Sequence, residues 1–336
     1  MEEKHLYPFL FEPNLHTVVW GGTRLEQWKN FKPSGKPIGE SWEVSAVPSS
    51  IDIISNGAYK GHDLVSVINS RPGDILGAKV ARQYHNEMPL LVKFIDAQRD
   101  LSIQVHPNDE MARRVHNKNG KTEMWYIIDA APGAYLYSGF SKQIDREEYK
   151  RRIADGTITD VLAKHEVHPG DVFYIPSGRV HAICSGILLA EIQQSSDVTY
   201  RIYDYNRPGL DGKPRELHTE LAAEALDYHV YDNYRTSYKY ASNADNSIID
   251  CPFFNVHVID TDKALRCDMR KYDSFVILMC LKGNCRIRLR ESGEETKLTE
   301  GFSTLIPAAV ADYDIIPDND ESYTKVIDAY IDESSK

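Results

Sequence analysis

The stretch GDVFYIPSGRVH, Gly170–His181, reads as a turn glycine, a short strand of alternating character and a Pro-led turn that swings the chain into a new strand. The first side chain of that new strand, His181, points back inward. The same register returns in GFSTLIPAAVAD, Gly301–Asp312: the glycine, the proline and the position of the last residue all agree, with Asp312 standing where the first copy has His181. Two copies of one strand–turn–strand element imply two related β-barrels or sandwiches in a single chain. A length of 336 residues suits two such units.

The rest of the chain supports a β-rich body. Runs such as HTVVWGG, SWEVSAVP, LLVKFIDA, EMWYIIDA, LLAEIQQSSD and FFNVHVID are cut by Gly, Pro, Asn and Asp, as expected of mainly antiparallel strands. Helical periodicity is confined to segments near Gln143–Ala154, Ile158–Ala163 and Arg215–Leu226, with a shorter one at Glu110–Val115. Residues 228–247 turn to Tyr, Asn, Asp and Ser, which reads as a connection and places a boundary near 245. The fold class is therefore mainly β: two jelly-roll barrels with a few decorating helices, the first over 1–244 and the second, degenerate, over 245–336.

Composition narrows the partners. A formal net charge of −11 argues against nucleic acid or an anionic membrane surface, both of which need a broad basic face. The five cysteines show no CxxC spacing and read as reduced thiols. No secretory signal and no long apolar run is visible, so the expected location is cytoplasmic.

Chemistry concentrates in the first unit. In LSIQVHPND, Leu101–Asp109, strand alternation puts Ser102, Gln104 and His106 on one face and Ile103 and Val105 on the other. His181 and Glu123, from KTEMWYIID, can join Gln104 and His106. One amide, two imidazoles and a carboxylate suit a divalent transition ion, with zinc the best fit. The second unit lacks such a set. Trp20, Trp42 and Trp125 are read as core aromatics.

Gly-x5-Pro-x-Gly-x2-His is similar to the second signature of the cupin family, with Ser185 in place of the usual asparagine and Gln104-x-His106 in place of the usual His-x-His. LSIQVHP, KTEMWY, PSGRVHAI and EIQQSSDVTYRIYDYNR together resemble the type I mannose-6-phosphate isomerases in their short bacterial form. VWGG, IGESWEVS and LLVKFIDA extend the likeness from about Trp20 to Arg207.

The resemblance implies one zinc per chain, held by Gln104, His106, Glu123 and His181. It implies catalytic roles for Arg201, Glu191 and Lys121, and phosphosugar-binding roles for Ser102 and Lys93. Ile183 replaces an aromatic of larger relatives, so their pocket wall does not carry over. The expected activity is aldose–ketose isomerisation by a monomer or homodimer. Two other uses of a cupin barrel are a metal-dependent oxygenase and a non-catalytic sugar-phosphate sensor.

Overall fold

The computed structural model describes residues 5–318 and 323–332. Four antiparallel sheets fall into two facing pairs. In the first pair, a seven-stranded sheet carries Leu90–Ala97, Glu123–Ala130, Val172–Ile175 and Ile187–Gln194 at its centre, and a five-stranded sheet carries Ile103–Val105 and His181–Ile183. Inward residues at every second position, among them Ile95, Trp125, Ile127, Phe173, Ile175, Ile183 and Leu189, fill the space between these sheets.

The second pair repeats the core of this plan, five strands of its larger sheet and all four of its smaller one falling in the same order. Its six-stranded sheet runs Ser303–Ile306, Val276–Lys282, Thr324–Tyr330, Asn255–Thr261 and Ala244–Asp250, the order in which Val172–Ile175, Glu123–Ala130, Ile187–Gln194, Leu90–Ala97 and Ile38–Val44 lie in the first pair. Its four-stranded sheet matches the five-stranded one in the same way. The repeated glycine turns are alike too, Gly170 at φ 92° and Gly301 at φ 82°. They diverge at Gly178 (φ 87°), where the second copy uses a 3₁₀ turn, Ala308–Val310, that accepts Ala309.

The outer faces of the seven- and six-stranded sheets are both apolar and pack through Phe94, Tyr126 and Ala190 on one side and Val258, Ile277 and Ile327 on the other. The N-terminal strand Phe9–Leu10 pairs with Ser303–Ile306. Buried Lys29 ties the pairs together: its ammonium lies 2.6 Å from Glu43 and donates to the Gly301 carbonyl. Glu43→Ala would leave that ammonium buried and unpaired, so we expect a loss of about 3–5 kcal/mol of stability, read from urea unfolding midpoints.

Helices expected at Gln143–Ala154, Arg215–Leu226 and Glu110–Val115 are Arg146–Asp155, Thr219–Ala225 and Asp109–His116. The Asp145 and Asn108 side chains cap the first and last of these. Two expectations fail. Ile158–Ala163 is a single 3₁₀ turn, Ile158–Val161, that runs directly into strand Leu162–Glu166. Helices are also not confined to the expected places: Arg24–Trp28, Leu64–Ser70, Pro72–Leu76 and Ala78–Gln83 are helical. Pro72 and Gly77 cut the last three into pieces too short to show a 3.6-residue period. No helix among the described residues is long and apolar enough to cross a membrane.

Candidate metal centre

Three strand ends supply one cluster. Glu123 and His181 open their strands, and His106 follows the last residue of Ile103–Val105. The Nε2 atoms of His106 and His181 lie 3.5 and 3.3 Å from the two carboxylate oxygens of Glu123. All three residues are 0–1% exposed; neither imidazole Nε2 nor Glu123 Oε1 has a hydrogen-bond partner, and Glu123 Oε2 is met only by the Lys121 ammonium at 2.8 Å. Leaving so many buried polar atoms unmatched is costly unless a cation is meant to sit among them.

The far side of each ring explains the aim. Nδ1 of His106 donates to the Val198 carbonyl at 2.9 Å, and Nδ1 of His181 to the Arg179 carbonyl at 2.8 Å. Each ring is thereby held with its Nε2 lone pair toward Glu123, the outer support expected of metal-ligating histidines. Burial, aided by the Lys121 charge, pushes His106 down to about 4, and burial lowers His181 as well. Burial alone would raise Glu123, but Lys121 and the two imidazoles hold it well below the ordinary carboxylate range. Near neutrality the set is two neutral imidazoles and a carboxylate, the protonation state a metal requires.

A second row of charge lies beside it. Glu191 pairs in register with Lys93 on one side and Trp125 on the other. Lys93 Nζ is 3.3 Å from Glu191 and 3.7 Å from Glu40, and Lys121 Nζ is 2.8 Å from Glu123 and 3.8 Å from Glu191. Burial would lower Lys93, but the carboxylates of Glu40 and Glu191 outweigh it and raise its affinity for a proton.

The two predicted core tryptophans here have polar work. Trp125 is fully buried yet donates to Glu191 at 3.0 Å, whereas Trp42, partly exposed, donates to Glu40 at 2.7 Å and lies under the Lys93 ammonium. Trp20 is core as expected.

The remaining predicted residues are more peripheral. Gln104 is the direct register partner of His181, so its amide shares the metal-facing side, and Arg201 is in turn the partner of Gln104. Arg201 donates to the Glu216 carbonyl at 2.9 Å, and its Nε is buried without a partner. The acids that could have claimed it are taken, Asp204 by Arg207 and Arg215, and Asp197 by Lys118. Ser102 is buried two residues before Gln104.

Sequence reasoning missed Glu40 and His16, whose ring stacks on Trp42 at 4.4 Å. The one available signal was the alternation of Glu40 and Trp42 in a strand.

The second pair holds no such centre at the matching place. Asp312, where His181 would be, is gripped by Arg266 and Arg270 at 3.1 Å each. Val276 replaces Glu123, since Val276 pairs with Ile306 as Glu123 pairs with Ile175.

Residues 9–126 match the family model "Phosphomannose isomerase type I, catalytic domain". The chain is 33% identical to a mannose-6-phosphate isomerase of Bacillus subtilis over 96% of its own length and 99% of that protein. A crystal structure of the Bacillus subtilis mannose 6-phosphate isomerase superposes with a TM-score of 0.85 at 29% identity, covering 96% of this chain and 99% of that one. A structure described as mannose 6-phosphate isomerase, holo and zinc bound, shares the fold at a TM-score of 0.77 and 17% identity over 97% of this chain and 99% of that one. The fold is thus the cupin fold of the phosphomannose isomerases. By sequence, this chain belongs to the type I mannose-6-phosphate isomerase family.

Proposed function

We propose that the protein is a zinc-dependent isomerase interconverting mannose 6-phosphate and fructose 6-phosphate. The observation that carries this reading is the convergence of buried His106, Glu123 and His181, with both imidazole Nε2 atoms and Glu123 Oε1 unpartnered and turned toward one another. Their separations of 3.3 and 3.5 Å suit ligands about 2.0–2.2 Å from a common ion. His106, Glu123 and His181 would hold the zinc, with Gln104 offering a weaker amide oxygen. When bound, the ion supplies Lewis-acid polarisation of the sugar oxygens.

The chain's own residues do the rest. Interconverting an aldose and a ketose moves a proton between adjacent carbons while negative charge builds on oxygen. Arg201 stabilises that charge without giving up its proton. Glu191 and Lys121, 3.8 Å apart, hold and move the protons in this reading. Ser102 and Lys93 bind the substrate.

We place the catalytic unit in residues 1–244, with 245–336 as a degenerate partner unit, and read the enzyme as cytoplasmic. Chelator-treated protein should lose the interconversion of mannose 6-phosphate in a coupled assay and recover it with added zinc. Full activity in thoroughly metal-free protein would refute the reading.

A further inference from the structure

Asp245, His257 and Asp328 converge inside the second pair of sheets, on three neighbouring strands of the six-stranded sheet. None belongs to the proposed isomerase site. Nδ1 of His257 is 2.7 Å from Asp245 Oδ1 and 3.9 Å from Asp328 Oδ1, while its Nε2 lies 3.2 Å from the Tyr330 hydroxyl. One ligand atom from each of the three residues falls within 4.8 Å of the others.

The duplication explains the arrangement. His257 pairs with Asp328 as Lys93 pairs with Glu191, and Asp245 pairs with Ile259, two residues past His257, as Glu40 pairs with Ile95, two past Lys93. Glu40–Lys93–Glu191 and Asp245–His257–Asp328 therefore occupy the same three places in the two units. In the first, a permanent ammonium separates the acids and Lys121 adds a second cation. In the second, no lysine or arginine among the described residues forms an ion pair with Asp245 or Asp328, Lys271 acting on Asp245 only from farther off, and one imidazole faces both.

Asp328 is 0% exposed, and neither of its carboxylate oxygens has a hydrogen-bond partner. A buried carboxylate left this way is costly without a cation, and a single imidazolium cannot neutralise two carboxylates.

We propose that Asp245, His257 and Asp328 form a second site for a divalent transition-metal ion, which clips three adjacent strands of the C-terminal sheet together. Two carboxylates and one imidazole form an oxygen-rich set suited to zinc or manganese. His257 is then neutral, with Nδ1 toward the ion and Nε2–H donated to Tyr330, the outer partner such a ligand needs. The Asp245 side chain, 41% exposed, leaves the ion a route from solvent.

The test uses the full chain, stripped with a chelator, equilibrated with zinc chloride and desalted, with zinc per chain then measured. Wild type should retain two ions, while Asp245→Asn and His257→Ala retain one and keep isomerase activity within twofold. His181→Ala should retain one ion and the His181→Ala, Asp245→Asn double variant none. Because Asp245 is partly exposed, Asp245→Asn removes a ligand without disturbing the core, and its circular dichroism should match wild type. Zinc per chain that is unchanged from wild type in both Asp245→Asn and His257→Ala would overturn the proposal, whatever the wild-type total. The count does not depend on turnover, so it stands or falls separately from the isomerase reading.

Discussion

His181→Ala is expected to lower kcat by at least about 10³-fold and to strip the zinc from the first site. The ring contributes one of the four proposed ligand groups, and its Nε2 has no other hydrogen-bond partner. A bound cation at a developing oxyanion contributes several kcal/mol to the transition state, and about 4 kcal/mol corresponds to roughly 10³ in rate. Glu123→Gln tests the same centre by charge. The amide keeps the shape but removes the negative charge that balances the ion, and it leaves Lys121, 2.8 Å away, without its nearest counter-charge. Zinc content and coupled-assay kcat should fall together in both variants. Turnover that survives with zinc absent would remove the metal from the mechanism.

The site was legible in the sequence to the extent that it obeys strand alternation. Gln104 lies on a strand and His106 directly after its end, two residues on, while Glu123 and His181 each open a strand beside a recognisable turn, so their inward direction follows from the local pattern. Glu40, Trp42 and His16 were hidden because their relation to Lys93 is set by register between strands: Trp42 lies opposite Lys93 and His16 opposite Glu40. No local pattern reports such pairing. The same limit hid Asp245, His257 and Asp328, which become a cluster only once three strands are aligned.

The fold was legible at the level of the repeated Gly-x5-Pro element, which corresponds to a repeated strand order across both sheet pairs. The helices between Leu64 and Gln83 were not, since each is five to seven residues long and the run is interrupted at Pro72 and Gly77. Their stability comes from burying Leu64, Ile68, Ile75, Leu76 and Val80 in the core between the two sheet pairs, which is a tertiary effect.

Arg201→Ala is expected to cost about 10²–10³ in kcat while leaving the zinc content intact, the range found when one preorganised donor to a developing oxyanion is removed. The environment of this side chain is the reason. Burial and the nearby charges of Arg215 and Arg207 all act against the Arg201 cation, and the Asp204 carboxylate that might relieve it is held by those same two arginines. A guanidinium so placed is undersatisfied in the resting protein, and negative charge growing on a substrate oxygen would supply the missing partner. The interaction strengthens as the reaction proceeds, so the loss should fall on kcat more than on KM. Arg201→Lys should recover only part of the rate, because an ammonium lacks the planar fork that spans two oxygens. A variant with normal zinc whose kcat stays within tenfold of wild type would take Arg201 out of the proposed reaction and leave Lys121 and the metal to stabilise the charge.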